Sequence, residues 1–128
     1  ELVEKVIAAG FRVSPVPGPS ALGAILSVAG INTQEFCFKG FPPHKKGRET
    51  FFRAVAESAV PVVYYESPYR IVKNLELLAS LAPEKHVIVG RELTKMFEEI
   101  IRGSIVEVSA YYQKNPGKVR GEFVVMVR

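Results

Sequence analysis

The sequence contains no aspartate and no tryptophan, one cysteine (Cys37) and two histidines (His44 and His86). Each shortage removes a class of explanation. A lone cysteine cannot form an intrachain disulfide. Two histidines and one distant cysteine offer none of the spacings by which proteins hold zinc or other transition metals. No apolar run approaches the roughly 18 to 20 residues that span a bilayer. The first ten residues, ELVEKVIAAG, alternate charged with apolar groups and do not form a secretory signal. These absences set the expectation of a soluble cytoplasmic protein with no metal and no membrane contact.

The 128 residues are 48% hydrophobic, enough for an ordinary globular core. The net charge of +4 is concentrated. Residues 39–53 hold Lys39, Lys45, Lys46, Arg48 and Arg53 against the single acid Glu49, and the rest of the chain is neutral. Localised basic charge reads either as a solvated loop and helix start or as a phosphate-facing patch. Glu1 already lies within a helical pattern that Gly10 can close with a left-handed cap. That abrupt opening suggests a fragment whose N-terminal part has been removed.

Patterning predicts a strand over Phe11–Val16, a turn at Pro17–Ala21, and a buried helix over 20–29 ending at Gly30. A strand at Glu35–Gly40, an exposed loop at 42–47 and a helix over 48–58 follow. Val60–Glu66 reads as a central strand, and Ser67 as the cap of a helix running to Leu81 with Pro68 in its first turn. His86–Arg91 is a buried strand, and residues 92–103 show no clear period. Ser104 and Glu107 have the spacing of a capping box for a helix to about Gln113. Asn115–Gly117 is a turn and Glu122–Val127 a last strand. Strands and helices alternate, so an α/β layered fold is expected. The polar stretch Gly30–Gln34 is the candidate boundary between residues 1–30, the tail of one α/β domain, and 35–128, a second.

Chemistry-bearing clusters fall in loops beside regular elements: PGPSA at 17–21, KGFPPHKKGR at 39–48, ESPYR at 66–70 and GRELTK at 90–95, with Gly121-Glu122 as a weaker fifth. In open α/β sheets, ligands bind at the carboxyl ends of strands, where three of these clusters lie by this reading. In this order and spacing the clusters resemble the ribosomal RNA (cytidine-2′-O) methyltransferases of the tetrapyrrole-methylase superfamily, over essentially the whole chain. The resemblance implies the C-terminal domain of a two-domain, class III methyltransferase, a mixed sheet covered by helices, with S-adenosylmethionine as methyl donor in the cleft between domains. The family's glycine-rich loop and aspartate-containing DAGTP-like motif would lie in the preceding half, which suits a chain without aspartate. Residues 1–128 alone are then expected to be inactive.

The turn at Gly18 leads into Ser20 and Ala21, whose helix start offers free N–H groups to the donor. The resemblance puts Ser20, Ala21 and Tyr65 against the donor, and adds Glu66, Arg91 and Gly121 as candidate contacts. Lys45, Lys46, Arg48, Arg70 and Lys95 are candidate RNA contacts. The residues also allow plainer roles: Tyr65 in the core, Glu66 orienting Arg70, Arg91 paired with a glutamate, Gly121 as a turn. No catalytic base can be assigned. The expected partners are ribosomal RNA or the small ribosomal subunit, and a second copy of the chain, because related enzymes are commonly homodimers. Two alternatives stay open: a tetrapyrrole methyltransferase and a non-catalytic RNA-binding module.

Overall fold

A computed structural model describes residues 1–128. Helix α1 (Leu2–Ala8) stands apart, with no buried residue. Gly10, at φ +80°, ends it as expected. The Phe11 N–H donates to the Val6 carbonyl at 3.2 Å and the Gly10 N–H to that of Ile7 at 2.9 Å, the paired bonds of a Schellman cap.

The sheet has five strands in the order β1-β2-β5-β3-β4. They are β1 (Cys37–Phe38), β2 (Val62–Glu66), β3 (His86–Arg91), β4 (Glu99–Ser104) and β5 (Phe123–Val127). β1 and β2 run parallel, and the other neighbours are antiparallel, so the sheet is mixed. β5 lies between β2 and β3. Glu66 and Arg91 both stand opposite Phe123, and Val62 and Val87 both stand opposite Val127. Every residue of β5 is buried, as a strand covered on both faces requires.

Side-chain alternation sends β5 into two cores. Phe123, Val125 and Val127 join the larger one with Phe52, Tyr64, Leu75, Val89, Ile105 and Tyr112. That face is covered by α3 (Arg48–Ala56), α4 (Ile71–Leu81) and α5 (Ile105–Lys114). Val124 and Met126 join the smaller core with Ile25, Ala29, Val63, Ile88 and Leu93. Helix α2 (Ala21–Ser27) covers this second face, and Arg102 Nη2 of β4 donates to the Val28 carbonyl at 2.5 Å, tying the helix end to the sheet. The helix α5 begins in the expected capping box: Ser104 Oγ accepts from the Glu107 N–H at 3.2 Å, and Glu107 accepts from the Ser104 N–H at 2.9 Å.

Four local expectations change. Phe11–Val16 is not a strand: Pro15 cannot donate to a ladder, and Phe11, Val13 and Val16 are exposed. The strand expected at 35–40 shrinks to two residues, although the Tyr65 N–H still donates to the Gly40 carbonyl at 2.8 Å. Ser67 does not cap α4. The helix begins at Ile71 after an Arg70 N-cap, and residues 67–70 form a turn in which the Ser67 carbonyl accepts from Arg70 and Ile71. The stretch without a clear period contains β4. No helix is long and apolar enough to cross a membrane.

Candidate functional site

A cavity of about 400 Å³ opens at the carboxyl ends of β2 and β3. Its wall combines Tyr65–Pro68 at the end of β2, Gly90 and Leu93 at and just past the end of β3, and Gly121–Val124 at the start of β5. Ala21 at the start of α2 and Phe41 after β1 complete it. Its volume falls in the range of small-molecule sites, roughly 300–1,000 Å³. Tyr65 packs against Phe38 and Phe41, with ring centroids 5.0 and 5.4 Å away, so one wall is aromatic.

Of the six candidate donor contacts, Ala21, Tyr65, Glu66 and Gly121 line this cavity. Ser20 adjoins it as the cap of α2, its Oγ accepting from the Gly23 N–H at 3.4 Å. Arg91 is not among the lining residues. By strand alternation its side chain shares the face of Val87 and Val89, opposite that of Ile88. There Arg91 Nε donates to Glu99 Oε2 at 3.2 Å across the β3–β4 register pair. Lys118 Nζ, at 2.7 Å, and Tyr111 OH, at 3.2 Å, also donate to Glu99.

Burial pushes the Glu99 carboxyl upward, but the bonds from Lys118, Arg91 and Tyr111 outweigh it and leave it below the ordinary glutamate value. A depressed carboxyl stabilises the fold fully above its unfolded value, about 4.3, and that contribution is lost as pH falls through the lower folded value. Urea midpoints should therefore hold steady through neutral pH and drop in acid below about 4.3. Glu99→Gln should be less stable at neutral pH, with the gap to wild type narrowing toward acid. A constant gap would remove Glu99 from the acid response.

Two loops owe their shape to unusual backbone. Gly121 lies at φ +85°, and a Cβ there would sit 2.6 Å from the Glu92 side chain. Glu92 itself has φ +50° and Thr94 φ +65°, a conformation seldom adopted by a β-branched residue. The Glu122 N–H donates to Glu92 Oε1 at 2.8 Å, while Lys95 Nζ reaches Glu92 at 3.0 Å and Glu122 at 2.9 Å. The Glu122 N–H, with Lys95, holds the Glu92 carboxyl below its usual range. Glu122 and then Glu92 raise the Lys95 ammonium above its own. Leu93, carried between these bends, lies over Gly90, where an added Cβ would stand 2.8 Å from Leu93 Cδ1.

The candidate RNA contacts divide. Lys45 and Lys46 are exposed and form no ion pair. Lys95 is held by its two glutamates. Arg48 and Arg70 belong to a network beneath the cavity wall. The Glu66 side chain is fully buried; its Oε1 accepts from the Ser67 N–H at 2.8 Å and stands 3.4 Å from Arg70 Nη2. Asn74 Nδ2 donates to Glu66 Oε2. Arg48 Nε donates to Asn74 Oδ1 at 2.7 Å, and Arg70 Nη1 to the Pro42 carbonyl at 3.0 Å. This chain of bonds fixes the start of the 42–47 loop against α4. Asn74 escaped the sequence reading, although a polar residue at helical spacing among Ile71, Leu75 and Leu78 was the available signal. Phe41 and Leu93 were also missed as lining residues, although both lie inside clusters already singled out.

Fold and cavity together define an α/β domain with a cavity of small-molecule size at the strand ends. Residues 1–109 match the tetrapyrrole (corrin/porphyrin) methylases, and the chain belongs to that family. It is 39% identical over 128 residues to ribosomal RNA small subunit methyltransferase I of Neisseria meningitidis serogroup B, covering 99% of this chain and 44% of that protein. The protein of the same name from Thermotoga maritima is 32% identical over 126 residues, covering 98% and 56%. The chain thus spans about half the length of the curated relatives it matches. Among solved structures, the methyltransferase CobJ shares the fold with a TM-score of 0.66 at 22% identity, covering 98% of this chain and 56% of that one. Uroporphyrin-III C-methyl transferase from Thermus thermophilus, complexed with S-adenyl homocysteine, does so with a TM-score of 0.56 at 18% identity, covering 97% and 56%.

Proposed function

We propose that the chain is the C-terminal part of an S-adenosylmethionine-dependent methyltransferase that modifies small-subunit ribosomal RNA, at the 2′-hydroxyl of a cytidine ribose. The observation that carries this reading is the cavity at the carboxyl ends of β2 and β3, in a chain 32–39% identical to proteins named for that RNA. The bound donor would supply a methyl group activated on a sulfonium. The aromatic and apolar wall of Phe41, Tyr65 and Leu93 suits an adenine ring, and Ala21 and Gly121 give the ligand close access to backbone. Ser20 supports Ala21 as its helix cap. Glu66 acts through its backbone at the wall, while its carboxylate holds Arg70 and Asn74. Arg91 has a structural role. Within such a site the chain's contribution is orientation and exclusion of water, effects worth roughly 7–11 kcal/mol in favourable cases.

The domain division is read with α2 on the side of the second domain, because Ile25 and Ala29 share a core with Val63, Val124 and Met126. Residues 1–20, with their exposed apolar side chains, then lead from the preceding domain. The test is methyl transfer from labelled donor to small ribosomal subunits by the whole protein, with the modified nucleotide mapped. Transfer to a base instead of a ribose would overturn the proposed position, and no transfer to RNA would overturn the substrate class.

Among the five candidate RNA contacts, Lys45 and Lys46 are the cations free to meet phosphate, so the double change to alanine should weaken RNA binding almost uniformly across sequences. Removing one phosphate-bound cation should flatten the log–log salt dependence by roughly 0.7 to 0.9. Donor affinity should not change. Identical slopes for wild type and double variant would make the loop a solvated surface only.

A further inference from the structure

Tyr69 is held by its backbone and free at its ring. Its N–H donates to Ser67 Oγ at 3.2 Å, and the following Arg70 is clamped between Glu66 and the Pro42 carbonyl. Pro68, just before it, has a fixed φ. Yet Tyr69 is 95% exposed, while Tyr64 and Tyr112 are fully buried. An aromatic ring so exposed adds little to folding, and a fixed stem lowers the entropy lost when such a ring is engaged. Tyr69 follows directly on Ser67 and Pro68, which line the cavity. Phe41, also lining it, is 62% exposed and begins the loop that carries the unpaired Lys45 and Lys46.

We infer that Tyr69 is a stacking platform for a nucleobase of the RNA substrate, at the mouth of the cavity. The inference rests on the reading of the protein as an RNA methyltransferase. Sequence-specific RNA recognition targets single-stranded loops and bulges, whose nucleotides can be splayed out to bring a ribose hydroxyl into a recessed donor site. An unstacked base then needs a replacement surface, and proteins supply it with aromatic side chains. Two cations on the neighbouring loop would draw in the phosphates, and the ring would take the base.

The experiment compares the whole protein with its Tyr69→Phe, Tyr69→Leu and Tyr69→Ala variants. It measures KM for small-subunit RNA, the donor Kd and the thermal midpoint. Phenylalanine should leave the RNA KM within about twofold, while leucine and alanine should raise it about 5- to 150-fold, the range for loss of one base–aromatic stack. Donor Kd and midpoint should not move. An alanine variant with wild-type KM overturns the inference. So does one whose donor Kd or midpoint shifts as much as its RNA KM, since the ring would then pack on protein, including the chain's own preceding domain. If the wild-type protein transfers no methyl to RNA, the functional reading itself fails. Wild-type transfer with an indifferent Tyr69 sinks the stacking alone.

Discussion

Arg70→Met should destabilise the protein by about 3–5 kcal/mol, the usual result of leaving a buried carboxylate without its counter-charge. Arg70 stands 3.4 Å from the fully buried Glu66 side chain and donates to the Pro42 carbonyl at 3.0 Å. Its removal strands a charge and frees the start of the basic loop together. The double change Glu66→Gln, Arg70→Met should recover part of the loss, because it removes both charges. Chemical denaturation of the four proteins measures the coupling. Additive losses would mean that the pair is not a unit. An RNA-contacting Arg70 would behave otherwise: stability would hold, and RNA affinity alone would fall.

Gly121→Ala should weaken donor binding by at least tenfold and lower stability. The left-handed backbone at φ +85° costs a residue with a Cβ about 1–2 kcal/mol. The added Cβ would also fall 2.6 Å from the Glu92 side chain, which would have to release the Glu122 N–H and the Lys95 ammonium. Both loops that close the cavity would shift. Calorimetry with the donor, paired with a thermal midpoint, separates the two effects. A variant that loses stability but keeps its donor affinity would make Gly121 a turn residue and nothing more.

Much of this architecture was legible in the sequence because local signals agreed with the final packing. The VPVVYYE and EFVVMV runs are continuous because β2 and β5 are covered on both faces, and the Ser104–Glu107 spacing became the capping box of α5. The errors have physical causes as well. β4 escaped because it is an edge strand, only half buried, so EIIRGS shows neither clean alternation nor a long apolar run. Its real marker was Glu99, which stands opposite Arg91 and answers its charge. FRVSPV carries strand composition without strand pairing, and propensity cannot supply a partner. Composition found the basic segment but could not separate its members. Arg53 is tied to Glu49 at 2.6 Å and Arg48 to Asn74, so the free charge comes down to two lysines beside Lys39, whose Nζ sits 5.9 Å from the centroid of the Phe51 ring.

The place of β5 has a consequence for how the chain folds. β2 and β3 do not touch each other; each is paired to β5, which follows them in the chain. Without residues 123–127, the β1–β2 and β3–β4 pairs would share no ladder and each would present an open inner edge, a state prone to pairing with other chains. Pairing β5 with strands far from it in sequence keeps contact order high, so folding should be slow. A strand whose five residues are all buried thus joins two half-sheets that come before it in the chain.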